Sequence, residues 1–262
     1  MVRGIERFRE SFREHADQYV FIGGTACDII LGREEIPFRQ TKDLDMVLIV
    51  EVLNQEFIEQ FIDFVSKGRY QHINKGTGKN QFYRFEKPGD ETFPYMIELF
   101  SRKPSYLSAV DTRLAPIYIR DDILSLSAIL LDDEYYYLLK EGAVEVDGIS
   151  VLSLEYIILF KMKAWLDLSE RKRNGEQIDS KNIKKHKNDV IRLAINLHPE
   201  MKVHAIGRIG ADVKDFLESV QDEKSDLKAL GIRNASCESI IEKLRSCFIL
   251  KEDKTHTSAG GE

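Results

Sequence analysis

Two aspartates stand at the head of an apolar run, in Asp43-Leu44-Asp45-Met46 followed by Val-Leu-Ile-Val. In a β-strand, residues i and i+2 point to the same face, with Cα atoms about 6.6 Å apart. We therefore expect both carboxylates on one face of a strand over residues 44–50, with Leu44 and Met46 on the opposite, core-facing side. Aspartate is disfavoured in strands, and neighbouring like charges repel unless a cation lies between them. Paired carboxylate oxygens suit Mg²⁺, and the alternative is a strand end with two solvated acids.

A third acid occurs in a later apolar strand. Glu98 is the only charged residue of Tyr95–Phe100, which has the pattern of a strand. A carboxylate in a strand buried on both faces is costly unless it is paired or bound to a metal. If this strand lies beside the aspartate strand, Glu98 can join Asp43 and Asp45 around a metal. The other interpretation is a half-exposed edge strand with Glu98 facing water.

Two glycines end the strand that precedes the aspartates. They follow the apolar stretch Tyr19–Ile22 and come before a helical pattern over Thr25–Leu31. A strand that ends in glycines and opens a helix lets a phosphate approach backbone N–H groups and the positive end of the helix dipole. Gly23, Gly24 and Thr25 are therefore candidates for phosphate binding, and a plain tight turn is the alternative.

Two charged residues lie beside apolar stripes of predicted helices in the second half of the chain. In the helical pattern Leu154–Leu168, Lys161 shares a stripe with apolar residues at helical spacing. Its ammonium group either reaches water along its stem or points into a polar cleft. In the pattern Asn182–Leu197, Asp189 lies at the edge of the buried stripe. An ion pair within its own helix is the ordinary explanation for Asp189.

Strands mixed with helices come first in the chain, and helices alone come second. A hairpin signal around Asp147-Gly148 closes the first part. We therefore predict an α/β domain with a mixed sheet over residues 1–152 and an all-helical domain over residues 153–250. The polar tail, residues 251–262, is predicted to be disordered.

Charge and cysteine usage exclude several classes of protein. The formal net charge of −6 excludes a broadly basic nucleic-acid coat or a polybasic membrane binder. The charge is unevenly distributed, because residues 161–192 carry ten Lys/Arg against five Asp/Glu, a local excess of positive charge. Three cysteines without CxxC spacing argue against a disulfide scaffold and a cysteine zinc site. The first residues are too charged for a signal peptide, and no apolar run nears the roughly 18 residues of a membrane span. We expect a cytoplasmic protein.

The glycine turn, the Asp43-Leu44-Asp45 strand and the later acid Glu98 together resemble the nucleotidyltransferase superfamily. More specifically, the Gly-Gly-Thr-Ala start, the Thr-Lys-Asp-Leu-Asp-Met strand, the Lys-Met-Lys-Ala helix and the Lys-His-Lys-Asn-Asp-Val-Ile-Arg-Leu helix resemble AbiEii-type nucleotidyltransferase toxins. These belong to abortive-infection and toxin–antitoxin systems. The resemblance covers about residues 19–197.

The resemblance implies roles for individual residues. Gly24 and Thr25 match the phosphate-binding turn, and the two aspartates match the metal-binding pair. Lys161 and Asp189 match the family's Lys and Asp motifs, implicated in nucleotide binding and catalysis, on a helical domain that completes the active-site cleft.

The chain departs from the pattern in two ways. The gap of residues 25–42 is longer than usual, which implies an extra loop near residues 33–40, and Glu98 is assigned by strand context alone.

The function implied is Mg²⁺-dependent transfer of a nucleoside monophosphate from an NTP to an acceptor. Two Mg²⁺ ions held by Asp43, Asp45 and Glu98 would bridge the triphosphate and the attacking oxygen. The acceptor is an RNA end (a tRNA 3′ end in particular), a protein hydroxyl or a small molecule, and a toxin role implies a cognate antitoxin. The basic stretch suits RNA and equally suits a solvated helix surface. The alternative is a non-catalytic nucleotide- or RNA-binding module on the same fold, acting through a protein partner.

Overall fold

The structure is a computed structural model, and it describes residues 2–33, 41–75, 82–101, 129–130, 132–221 and 226–250. The predicted tail and most of the predicted extra loop, residues 34–40, therefore lie outside the described residues. The chain divides into two compact units, residues 1–160 and 161–262. This division falls within a long helix. The predicted domain boundary after residue 152 falls just before that helix and stays a prediction.

The first unit mixes strands and helices. Its elements in chain order are α1 (Ile5–Phe12), a 3₁₀ segment (Arg13–Gln18), β1 (Tyr19–Phe21), α2 (Gly23–Arg33), β2 (Asp43–Leu48), α3 (Gln55–Gly68), β3 (His72–Lys75), β4 (Phe82–Glu86), β5 (Met96–Phe100), α4 (Asp133–Glu141), β6 (Ala143–Val146), β7 (Ile149–Leu152) and the start of α5 (Leu154–Arg173). The second unit continues α5 and adds α6 (Ser180–Ala194), β8 (Val203–Ala205), α7 (Gly207–Val220), α8 (Cys237–Cys247) and β9 (Phe248–Leu250).

Seven strands of the first unit form one sheet in the order β3-β4-β5-β2-β1-β7-β6. The sheet is mixed, because β2 pairs antiparallel with β1 but parallel with β5, and β1 pairs parallel with β7. The predicted mixed α/β class is confirmed for this unit. The strand that carries the two aspartates lies at the centre of the described sheet.

One face of this sheet is covered by aromatic rings. Met46 of β2 is in register with Phe21 of β1, and both are fully buried. The ring of Phe8 in α1 lies 5.0 Å from that of Phe21 and 5.7 Å from that of Phe64 in α3, measured between centroids. Such aromatic pairs stabilise a core beyond the area they bury. Because side chains alternate along β2, Asp43 and Asp45 point to the face opposite Leu44 and Met46, away from this aromatic core.

The β6–β7 hairpin has the turn that its sequence predicts. Asp147 and Gly148 have φ values of 51° and 78°, and Val146 pairs with Ile149 across them. Positive φ at both central residues is the requirement of a type I′ turn, whose twist matches that of the flanking strands. Aspartate and glycine are among the few residues that tolerate it.

The second unit is not all-helical, and the prediction is wrong on this point. β8 and β9 pair in parallel, with Val203 opposite Phe248 and Ala205 opposite Leu250. A strand of three residues is too short to show the two-residue alternation that identifies strands. In addition, the three apolar residues of β9, Phe248–Leu250, follow α8 directly. Their sequence pattern therefore does not distinguish them from a last turn of that helix.

The two long helices of the second half are confirmed, with shifted ends. α5 continues beyond the predicted Leu168 to Arg173, because the basic residues of its last turn interact favourably with the negative end of the helix dipole. Gly175 follows with φ 89°, a conformation that stops a helix. α6 begins after Asp179, whose carboxylate accepts a hydrogen bond from the Lys181 N–H at 2.9 Å. Among the described ranges, no helix has both the length and the apolar character needed to cross a membrane.

Candidate active site

The two aspartates share one face of β2, as predicted. Asp43 and Asp45 are half-buried, whereas Leu44 and Met46 between and after them are fully buried. Both carboxylates therefore reach the face of the sheet that the aromatic core leaves uncovered. They lie at the start of the strand, beside the point where β1 ends and α2 begins.

The glycine turn lies directly against Asp45. The Ile22 N–H donates to the Asp45 carbonyl at 2.9 Å, which continues the pairing of β1 and β2 up to the turn. Gly23 follows with φ +61°, and a Cβ at this position would lie 2.5 Å from Asp45 Oδ2. A Cβ at Gly24 would lie 2.9 Å from the Cβ of Thr41. Both positions therefore need glycine, the first for its backbone conformation and its contact with Asp45, the second for its contact with Thr41.

The Thr25 hydroxyl ties the start of α2 to the aspartate strand. Oγ1 donates to the Asp43 carbonyl at 2.6 Å and accepts from the Asp45 N–H at 3.4 Å. The side chain is fully buried. The hydroxyl thus holds the backbone of both aspartates in place. Phosphate binding at this turn stays a prediction, and its donors would be backbone N–H groups, since the first N–H groups of a helix have no partner within it.

Glu98 is in register with Asp45 on the neighbouring parallel strand, so the two carboxylates point to the same face. β2 and β5 are therefore adjacent, as a site shared by Asp45 and Glu98 requires. The edge-strand interpretation is wrong, because β5 lies between β4 and β2 and Glu98 is 3% exposed.

Arg84 is a residue of this site that sequence reasoning missed. It lies in β4 in register with Glu98, and its Nε and Nη2 donate to Glu98 Oε1 at 2.9 and 2.6 Å. Both side chains are buried. One signal could have found the pair: Arg84 is the only basic residue of its strand and stands between Tyr83 and Phe85, and Glu98 is the only charged residue of the next strand. Opposite charges flanked by apolar residues on consecutive strands predict an ion pair.

The residues fit a divalent cation in part. Asp43 and Asp45 offer two carboxylates on one face, the oxygen ligands that Mg²⁺ prefers. Glu98 fits less well, because Oε1 already accepts two charge-assisted hydrogen bonds from Arg84. Across the described ranges, no three His, Cys, Asp or Glu side chains are grouped so that they could hold a metal ion. Glu98 as a metal ligand stays a prediction.

Comparison with known proteins gives little beyond a distant structural likeness. No protein-family model matches the chain, and no curated protein matches its sequence. A solved structure of an antigenic nucleotidyltransferase-like protein from Paracoccidioides brasiliensis is similar, with a TM-score of 0.41 and 14% sequence identity. The match covers 92% of this chain and 99% of that chain. A likeness of this size is too weak to support an assignment, which depends instead on the residues of the site.

The second unit brings Lys161 and Asp189 together. Lys161 Nζ lies 3.2 Å from Asp189 Oδ2, and Arg192 Nη1 lies 3.9 Å from Asp189 Oδ1. The Asp189 side chain is 1% exposed. Lys161 therefore reaches a carboxylate on the neighbouring helix rather than water, and the pairing of Asp189 extends beyond its own helix. The roles of both residues in nucleotide binding and catalysis stay predictions.

Proposed function

We propose that this chain is a nucleotidyltransferase that moves a nucleoside monophosphate from an NTP to an acceptor oxygen. The observation that carries the proposal is the placement of Asp43 and Asp45 on one face of the central strand, with Asp45 against Gly23 at the start of α2. A helix N-terminus opened by glycines suits a phosphate. Two carboxylates beside it suit the Mg²⁺ that accompanies a triphosphate.

The proposed reaction is an in-line displacement at the α-phosphorus. A bond forms between the acceptor oxygen and the α-phosphorus, the bond to the β-phosphate's bridging oxygen breaks, pyrophosphate leaves and the acceptor's proton passes to solvent. Mg²⁺ held by Asp43 and Asp45 would neutralise charge on the phosphates and on the attacking oxygen. The bare backbone of Gly23 and Gly24 lets a phosphate lie against the turn. Thr25 fixes the backbone of the two aspartates relative to that turn, which pre-organises the strand that carries them.

The motifs support a finer proposal, a toxin of the AbiEii type with a cognate antitoxin. An Asp45-dependent slowing of growth on expression tests this role. For the acceptor, the local excess of positive charge in residues 161–192 supports an RNA end, and a protein hydroxyl or a small molecule stays open. For Lys161 and Asp189 we propose the nucleotide-binding and catalytic roles that the resemblance implies.

A second candidate function is a module that binds nucleotide or RNA with no turnover, acting through a protein partner. The Arg84–Glu98 ion pair favours it, because an arginine already engages the third acid that the transfer reaction was expected to use for metal binding. Transfer and binding are separable by experiment.

The test is to incubate the purified chain with each of the four NTPs labelled at the α-phosphorus, with Mg²⁺ and with total RNA or protein from a lysate. Label in RNA or in protein supports transfer and identifies the class of acceptor. Asp43→Asn and Asp45→Asn should abolish transfer. Asp63→Asn is the matched control and should leave transfer unchanged, because Asp63 is exposed on α3 and its one ion pair among those described is with Lys67. Tight NTP binding without transfer to anything would favour the binding module.

A further inference from the structure

We propose that Tyr95, with Arg3 and Lys42 beside its ring, binds an unpaired base of a single-stranded polynucleotide, the class of acceptor to which an RNA end belongs. This inference rests on the proposed function, for which it names the acceptor class and a residue that binds it. It makes Tyr95 a binding residue outside the metal and phosphate sites. All three residues belong to the first unit of the chain.

Tyr95 lies at the edge of the sheet where the aspartate strand begins. It directly precedes β5, whose first residue, Met96, is in register with Asp43 of β2. Lys42 directly precedes Asp43. From the spacing of neighbouring strands and of residues along them, the Cα atoms of Tyr95 and Asp43 lie about 6 Å apart. Successive bases of a nucleic-acid strand stack about 3.4 Å apart, so one strand can contact both residues within a few nucleotides.

The Tyr95 ring is exposed where its neighbours in the chain are buried. Tyr95 is 40% exposed, whereas Phe93 and Ile97 are 1% and 0% exposed. Aromatic rings that bind single-stranded nucleic acid need this exposure, because a base stacks on the face of the ring. Exposure by itself is common at protein surfaces, and the charges around the ring point to a particular ligand.

Two cations lie over the Tyr95 ring. The guanidinium carbon of Arg3 is 5.9 Å from the ring centroid, and Lys42 Nζ is 5.8 Å from it. These distances are near the outer limit of about 6 Å for a cation–π contact, so a base can take the place of a cation on the ring. Both side chains are exposed, and within the described ranges neither forms an ion pair with a carboxylate. Their charges are therefore available to phosphate groups.

The segment before α1 is held against the segment that leads to Tyr95. Arg3 Nε donates to the Phe93 carbonyl at 3.1 Å. Gly4 has φ +77°, and a Cβ there would collide with the backbone of Phe93 and Pro94, so the two segments are in direct backbone contact. Arg3 is thus anchored beside the ring before any ligand binds, which lowers the entropic cost of binding.

The two cations favour a polynucleotide over the NTP itself. In the proposed reaction, the phosphates of the NTP lie at the turn of Gly23 and Gly24 and on the Mg²⁺ held by Asp43 and Asp45. Further cations around an exposed ring suit phosphates that the NTP does not have. An aromatic platform with cations for the backbone is the combination that binds single strands. It therefore favours an RNA end over a protein hydroxyl or a small molecule as the acceptor.

The experiment measures the binding of a short, fluorescein-labelled single-stranded RNA to the full chain by fluorescence anisotropy, without NTP. Tyr95→Ala should weaken binding about five- to hundredfold, the range for the loss of one base–aromatic stack. Tyr95→Phe keeps a ring and should bind within about threefold of the original chain. The same RNA annealed to its complement hides its bases, so any binding of the duplex should not depend on Tyr95.

Tyr137 is the matched control. It is 65% exposed, and Lys140 Nζ lies 4.7 Å from its ring centroid, so it too combines an exposed tyrosine with a cation. Lys140 also approaches Glu51, which lies past the end of β2 that is remote from the aspartates. Tyr137→Ala should therefore leave RNA binding unchanged. RNA should quench the indole fluorescence of Tyr95→Trp, but neither that of Tyr137→Trp nor that of the original chain, whose one tryptophan is Trp165.

Lys42→Gln separates charge from stacking. Each phosphate contact with a single strand contributes about 0.7 to the slope of log affinity against log salt concentration. Lys42→Gln should reduce the slope by about this amount, whereas Tyr95→Ala should weaken binding with the slope unchanged. Tyr95→Ala should also bind Mn²⁺, a paramagnetic substitute for Mg²⁺, as the original chain does, measured by the loss of the free-ion signal in electron paramagnetic resonance. A purely structural role of Tyr95 would not divide the effects in this way.

Loss of RNA binding in Tyr95→Ala with recovery in Tyr95→Phe supports the proposal. Full binding by Tyr95→Ala, or an equal loss in Tyr137→Ala, would overturn it. Weaker NTP binding by Tyr95→Ala with unchanged RNA binding would overturn it too, since the ring would then stack on the base of the NTP. RNA binding that depends on Tyr95 without transfer of label would overturn the proposed transfer and leave the polynucleotide site. Transfer to protein without RNA binding would overturn only the inference, so the two failures are distinguishable.

Discussion

Replacing Gly23 with alanine tests how closely the turn is fitted to the acid beside it. Gly23 has φ +61°, a backbone conformation that costs an L-residue roughly 1–2 kcal/mol. The new Cβ would also lie 2.5 Å from Asp45 Oδ2, so the carboxylate must leave its rotamer at a cost of about 1 kcal/mol. We therefore expect Gly23→Ala to lower the free energy of unfolding by about 2–3 kcal/mol and to weaken Mn²⁺ binding.

Urea unfolding of a double-mutant cycle separates the two parts of this cost. In an Asp45→Ala background the contact with Oδ2 is gone, so Gly23→Ala should cost only the backbone part, roughly 1–2 kcal/mol. Gly32→Ala is a matched control in the same helix, because no atom of the described residues lies within 4 Å of a Cβ there, and alanine should stabilise by up to about 1 kcal/mol. An equal cost with and without the Asp45 side chain, together with unchanged Mn²⁺ binding, would refute the fit between Gly23 and Asp45.

Three further substitutions test other parts of the structure. Lys161→Met removes the cation 3.2 Å from the Asp189 carboxylate, whose side chain is 1% exposed. It should lower the free energy of unfolding, measured by thermal unfolding, by about 3 kcal/mol. A variant as stable as the original would contradict a buried ion pair. Thr25→Val removes the hydroxyl that bonds to the backbone of Asp43 and Asp45. It should lower the free energy of unfolding in urea by about 1–2 kcal/mol. An unchanged free energy would show that this contact does not hold the strand. Burial alone would raise the pKa of Glu51, but the hydrogen bond from Tyr136 and the charge of Lys140 outweigh it and lower the pKa below the ordinary value of 4.5. A lowered folded-state pKa stabilises the protein above the ordinary value and loses that effect as the pH falls through the folded-state value. Glu51→Gln should therefore flatten the fall of the melting temperature below about pH 4.5, and an unchanged profile would contradict the shift.

Much of the site could be predicted because its determinants are local. The alternation of acids and apolar residues along β2 is enough to place Asp43 and Asp45 on one face, since the pleat of a strand leaves no other choice. The glycine pair at the end of β1 is also readable, because a strand that ends in glycines and opens a helix is a local pattern.

The rest depends on contacts between distant segments, which a single sequence does not encode in any one place. Arg84 and Glu98 each look anomalous in their strands, but only the strand order β4-β5-β2 brings them into one row with Asp45. The pairing of Lys161 with Asp189 likewise needs the packing of α5 against α6. The β8–β9 pair was missed because strands of three residues have no detectable period.

The most direct test of nucleotidyl transfer compares one NTP labelled at the α-phosphorus with the same NTP labelled at the γ-phosphorus. With Mg²⁺ and the acceptor fraction present, the α-label should become covalently attached to the acceptor, and the γ-label should be released as pyrophosphate. Asp45→Asn should do neither while keeping the circular-dichroism spectrum of the original chain. Transfer of the γ-label, release of inorganic phosphate in place of pyrophosphate, or full transfer by Asp45→Asn would contradict the proposed reaction.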